Sequence, residues 1–271
     1  MILQLFVYYM DTFILFLTRR NCLAKCFFKP YFRIYIKNMS TKYQFLFFDL
    51  DHTLWDFEKN SIATLEVLYS EKKLGEKGIN SFADFQVIYH EINDKLWDRF
   101  RKGFLSREDL RWKRMWQTLV HYKIFDEVLA KEMSERYLEI LPEQKIVFPF
   151  AKDLLQYCTE KNYELHMITN GFELTQHQKL KNADLSIYFD QMITSEMALS
   201  MKPQKEIFEY ALAKTGAKAT NSLMIGDALD IDILGAQRVG MDQVYFNPKN
   251  IPHEQKPTFE INCLSELMKL I

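Results

Sequence analysis

An almost unbroken apolar run at residues 43–48, ending on the acid Asp49, constrains this chain more than any other feature. It is too short for a helix and carries no polar face, so it reads as a strand covered on both sides, as in parallel sheets flanked by helices. Similar short runs lie at residues 164–169, 191–194, 222–225 and 243–246, separated by helical patterns at 150–161, 173–180, 205–215 and 231–238. Strands alternating with helices predict an α/β doubly wound parallel sheet. Between residues 60 and 141 the pattern is helical throughout, and Ser81 with Asp84 and Ser106 with Asp109 each place an N-cap three residues before an acid. This all-helical insertion falls between the first and second strands. It therefore stands over the strands' carboxyl ends, where open α/β sheets bind ligands.

Residues 1–38 follow a different pattern. Residues 1–18 are mostly apolar but are interrupted by Gln4 and Asp11, and no basic residues precede them, which makes a poor signal peptide and a marginal membrane span. Two readings stay open: an upstream extension that the fold does not need, with translation starting at Met39, or an anchor followed by the basic pair Arg19 and Arg20. The first is favoured, with a cytoplasmic protein as the expectation. The expected organisation is thus an extension at 1–38, a core from 39–59 and 142–271, and a helical segment at 60–141.

The 35 basic and 36 acidic residues nearly cancel, which disfavours a nucleic acid polymer as partner. Cys22, Cys26, Cys158 and Cys263 lack a paired zinc spacing and read as reduced thiols.

Chemistry concentrates where strands end. Asp49 and Asp51 follow the first strand at i and i+2, and Asp227, Asp230 and Asp232 follow the run at 222–225. Parallel strands bring these groups together. Clustered carboxylates repel one another unless compensated, and an all-oxygen donor set suits a hard cation such as magnesium (Mg²⁺). Asp230 reads as a cap of the helix that follows. Thr169, Asn170 and Gly171 end the strand at 164–169, offering a hydroxyl, an amide and a backbone open to close approach. Lys202 follows the strand at 191–194 and would balance the charge of a phosphate.

Together these four segments resemble the haloacid dehalogenase-like hydrolase superfamily over residues 43–248. Asp49, Asp51 and Thr53 fit its first motif, Thr169 its second, and Lys202, Asp227 and Asp232 the remainder, in order. The resemblance implies a Rossmann-like core with an inserted helical cap, and a phosphomonoester hydrolase in which Asp49 is the nucleophile. It implies further that Asp51 exchanges protons with the leaving group and water, and that Thr169, Asn170 and Lys202 hold the phosphoryl group. Mg²⁺ would lie among Asp49, the Asp51 carbonyl and Asp227. For Asp232, a water-mediated metal contact and orientation of Lys202 both remain. The dehalogenase branch lacks an acid matching Asp51, so phosphoryl transfer is preferred, and a cap of this kind implies a small-molecule substrate.

Residues 53–57, 169–172 and 232–236 further resemble the pyrimidine 5′-nucleotidase branch. Cap aromatics such as Trp97, Phe100, Phe104, Trp112 and Trp116 could stack on a base. For most of them, packing inside the cap is the favoured reading. Trp97, Gly103 and Arg114 are the expected cap contacts to substrate. Phosphoglycolate phosphatase, sugar-phosphate phosphatase and phosphomutase share these motifs, and an inactive binding protein is the alternative from another class.

Overall fold

The computed structural model of the protein describes residues 42–271, so the readings placed on residues 1–38, Cys22 and Cys26 included, lie outside the described residues. Six parallel strands form one sheet in the order β3-β2-β1-β4-β5-β6: β1 (Phe45–Phe48), β2 (Glu164–Thr169), β3 (Gln191–Thr194), β4 (Ser222–Gly226), β5 (Asp242–Phe246) and β6 (Phe259–Ile261). The central strand is buried on both faces because both of its alternating sets are apolar. Leu46 and Phe48 enter one core, while Phe45 and Phe47 enter the other with Ile168, Ile207 and Phe208. Phe48 is in register with Met167 on β2 and with Ile225 on β4. The residues following these strands therefore emerge at one level, at the point where the strand order reverses.

The first four helices of the connection between β1 and β2 form the insertion: α1 (Phe57–Glu71), α2 (Phe82–Arg101), α3 (Arg107–His121) and α4 (Glu127–Ile140). Each starts on a side-chain cap. Asp56, Ser81, Ser106 and Asp126 accept hydrogen bonds from the backbone N–H groups of Lys59, Asp84, Asp109 and Leu129 at 2.9–3.2 Å. The two Ser caps are those expected from the sequence. Where this connection leaves and rejoins the core, its two chains run side by side. Trp55 bridges Val147 in antiparallel fashion, Asp56 N donates to Ile146 O at 3.1 Å, and Phe148 N donates to Leu54 O at 2.9 Å. Buried Asn60 fastens the pair from one side, donating to Ile146 O at 2.7 Å and accepting from Ile146 N at 3.0 Å.

The chain then reaches β2 through α5 (Ala151–Glu160), and α6 (Glu173–Asn182), α7 (Ser195–Ala198), α8 (Lys205–Thr215), α9 (Leu234–Arg238) and α10 (Leu264–Leu267) follow. Four features depart from the sequence reading. Strand β6 and helices α7 and α10 were not expected. The helix predicted at 231–238 is a π-helical turn, Leu229–Ile233, that runs into α9. Asp230 is exposed, and no side chain caps this segment. Instead Asp232 reaches back, its Oδ2 accepting the Ala228 N–H at 3.1 Å. The wide turn is what aims this carboxylate toward the sheet.

Among the described residues, Cys158 and Cys263 are free thiols, and burial pushes the Cys158 thiol up to about 12, where it is inert. No helix among the described residues is long and apolar enough to cross a membrane.

Candidate active site

The site is assembled on the ends of β1, β2 and β4 and on the loop after β3. Asp49 N donates to Ile225 O at 2.9 Å, so this residue still belongs to the sheet ladder. Beyond it the backbone N–H groups of Thr53, Leu54 and Trp55 all converge on Leu50 O at 2.9–3.3 Å. That tight wrap turns Asp49 and Asp51 out at the sheet's edge, and Thr53 Oγ1 donates to Asp227 Oδ1 at 3.2 Å to tie the β1 and β4 loops together.

Lys202 is the centre of charge. Its side chain is 2% exposed. The ammonium donates to Asp49 Oδ1, to Ile168 O at 2.7 Å, and lies 2.7 Å from Asp232 Oδ1. Burial disfavours a charged lysine, but Asp232 and Asp49 outweigh it and hold the Lys202 pKa above the ordinary lysine value. The remaining negative charge is not compensated. Burial, reinforced by Asp232 and Asp227, pushes the Asp49 carboxyl up to about 8 against the pull of Lys202. Burial and Asp232 push Asp227 up to about 8 as well, against Lys202 and the Thr53 hydroxyl.

One oxygen from each of Asp49, Asp227 and Asp232 lies within 4.8 Å of the others. Three carboxylates facing one ammonium, with oxygen donors only, fit a hard divalent cation. Of the two roles left open for Asp232, the geometry supplies the contact with Lys202.

Asn170, expected as a phosphate contact, lines the same cavity as Asp49 and Lys202, and its side chain also holds the Lys202 backbone. Its Nδ2 donates to Lys202 O at 2.9 Å and its Oδ1 accepts from Lys202 N at 2.8 Å, clamping the lysine's backbone to the end of β2. Thr169 Oγ1 accepts from Gly171 N at 3.0 Å and from Gln176 Nε2 at 2.8 Å, which leaves its own proton to donate.

A cavity of about 240 Å³ opens over these residues, with Asp49, Asp51, Thr169 and Lys202 on its floor and Trp97 and Arg101 of α2 in its wall. The Trp97 ring lies 5.7 Å from Phe172, the residue just ahead of α6. The other expected cap contacts sit elsewhere. Gly103, at φ +76°, ends α2 in an exposed turn and does not line this cavity. Arg114 is buried inside the insertion, donating to Leu110 O and Asn93 Oδ1 at 3.1 Å with Tyr137 beneath its guanidinium, and reaches only a smaller adjoining cavity. Trp112 stacks near Trp116, which packs against the core.

Sequence reasoning missed two residues here. Gln176 Nε2 donates to Asp51 Oδ2 at 2.8 Å, and Lys179 Nζ donates to Asp51 Oδ1 at 2.6 Å. The available signal was two polar residues three apart on α6, beside Leu180, on a face that must turn inward.

A family model described as haloacid dehalogenase-like hydrolase matches residues 43–240. The pyrimidine 5′-nucleotidase PynA of Streptococcus pneumoniae is 31% identical over 229 residues, covering 83% of this chain and 94% of the relative. The pyrimidine 5′-nucleotidase YjjG of Escherichia coli is 29% identical, covering 85% and 98%. The solved structure of the HAD-hydrolase YfnB from Bacillus subtilis, bound to magnesium, superposes with a TM-score of 0.77 at 29% identity, covering 85% of this chain and 99% of that one. With the matched segment taking in the whole cluster from Asp49 to Asp232, the chain belongs to the haloacid dehalogenase-like hydrolases.

Proposed function

We propose that the protein is a magnesium-dependent phosphatase of nucleoside 5′-monophosphates, preferring pyrimidines, that works through a phosphorylated Asp49. The observation carrying this reading is the buried Asp49 carboxylate held against Lys202, with an Asp227 oxygen within 4.8 Å and Asp51 lining the same cavity. Similarity to two pyrimidine 5′-nucleotidases supports the substrate class.

An Asp49 oxygen attacks phosphorus, the ester P–O bond breaks, and the leaving oxygen takes a proton from the Asp51 carboxyl. Water then attacks the aspartyl-phosphate, giving its proton to Asp51. The P–O bond to Asp49 breaks, and inorganic phosphate and the carboxylate are regenerated. Lys202 and the Thr169 hydroxyl stabilise the transferred group's oxygens. Asp49, the Asp51 carbonyl and Asp227 would hold magnesium, which when bound supplies positive charge that lets an anionic nucleophile meet an anionic phosphate. The helices from Phe57 to Ile140 act as a cap that shields the reaction from water.

The test is phosphate release, with Mg²⁺ and after chelation, across uridine, deoxyuridine, thymidine and purine monophosphates, phosphoglycolate and sugar phosphates. Turnover that needs Mg²⁺ and favours pyrimidines is expected. Preference for another ester overturns the substrate, isomer formation without phosphate release points to a mutase, and silence across the panel to a binding protein. Trp97→Ala is expected to raise KM for nucleotides about tenfold, the loss of one base stack. KM for para-nitrophenyl phosphate, which has no base, should change little; equal effects would make Trp97 a packing residue.

A further inference from the structure

We propose that Lys179 and Gln176 are positioning residues that aim the Asp51 carboxyl at the leaving-group oxygen. The inference rests on the reading of Asp51 as the proton-transfer residue.

Both side chains are buried, Lys179 at 3% and Gln176 at 0% exposure. A buried ammonium is costly unless paired, and an apolar side chain of similar volume would pack there at least as stably. The hydrogen-bond partner of Lys179 is Asp51, 2.6 Å away. Its other side is held by the rings of Trp55, with the centroid 4.4 Å distant, and Phe57, at 5.6 Å. Gln176 Nε2 bridges Asp51 Oδ2 and Thr169 Oγ1, each at 2.8 Å. That bond to a carboxylate fixes which end of the amide is nitrogen, and it leaves Gln176 Oε1 buried with no partner among the described residues. A buried acceptor left unmatched is tolerated where the other end of the group has a task.

The surroundings make room for this arrangement. A Cβ on residue 171 would fall inside the Gln176 side chain, so Gly171 is what lets the glutamine lie across the end of β2. Gln176 and Lys179 are one turn apart on α6 and deliver their donors to the two oxygens of one carboxylate. Each Asp51 oxygen keeps a second lone pair through which a proton can be held or passed. Without the two donors the side chain, on a loop beyond β1, would sample other rotamers. Small misplacements of a proton-transfer group slow its step steeply.

Leaving groups separate aim from architecture. A nucleoside leaves as an alkoxide that needs a proton, whereas para-nitrophenolate leaves as a stable anion, and kcat/KM reports binding and the phosphorylation of Asp49 but not the later hydrolysis. With the full chain and Mg²⁺, Lys179→Met is expected to lower kcat/KM about a hundredfold for a nucleotide and less than about threefold for para-nitrophenyl phosphate. Asp51→Asn should show the same pattern, and Lys179→Arg should recover most of the loss. If Lys179→Met fails to fold, Gln176→Leu carries the same comparison. Equal losses on both esters, or none, with Asp51→Asn still selective for the nucleotide, overturn the positioning role and leave the mechanism standing. If Asp51→Asn itself shows no leaving-group dependence, the proton-transfer reading falls and the positioning role falls with it.

Discussion

Asp49→Asn is expected to lower kcat by more than about a thousandfold, as loss of a nucleophile does elsewhere, while the protein stays folded. Asparagine keeps the volume and an oxygen that can accept from Lys202, and the lysine retains Asp232 at 2.7 Å, so no buried ammonium is left alone. The wild-type carboxyl is itself unfavourable where it sits, pushed up to about 8 by burial with Asp232 and Asp227 alongside. Thermal unfolding of the metal-free variant should therefore occur at or above the wild-type temperature, since strained active-site groups are commonly kept at the expense of stability. Phosphate release and the melting curve together check this. Near wild-type turnover removes Asp49 as nucleophile, and a collapsed melting temperature removes the claim that its role is chemical rather than architectural.

Lys202→Met should do the reverse, damaging both properties. It leaves Asp49, Asp227 and Asp232 facing one another without a cation. Breaking a buried ion pair from one side costs about 3–5 kcal/mol, and that loss should appear as a lower denaturant midpoint. Activity should fall by about a hundredfold or more, because the charge proposed to stabilise the transferred phosphoryl group has gone. Adding Asp232→Asn should restore part of the stability and none of the activity. If the double variant is no more stable than the single one, the Lys202–Asp232 pair is not the source of the loss.

How far the sequence could be read depends on whether the deciding interactions were local. The run at 43–48 and the four that follow it reveal their strands because apolar continuity is a property of each segment alone, and Ser81 and Ser106 reveal two helix starts because a cap acts within three residues. Strand β6, at Phe259–Ile261, carries three residues and among the described residues pairs only with β5, leaving too little pattern to detect. The acids and Lys202 were recognisable by their order along the chain. Gln176 and Lys179 were not, because a polar residue on a helix usually faces water, and only the seating of α6 against the β1 loop turns these two inward toward Asp51, more than a hundred positions earlier. Asn170 was legible as a polar residue at a strand end, but its reciprocal bonds to the Lys202 backbone depend on where the loop after β3 lies.

The paired chains at Trp55 and Val147, fastened by Asn60, make the helical insertion a branch with a single stem. Because its entry and exit lie side by side, the segment between them can be lengthened, shortened or exchanged during evolution without moving any strand of the sheet. On the proposed function, the groups around Lys202 that would react and the wall that would select the ester are thereby free to diversify at different rates, so a lineage could acquire new substrates while inheriting its chemistry unchanged.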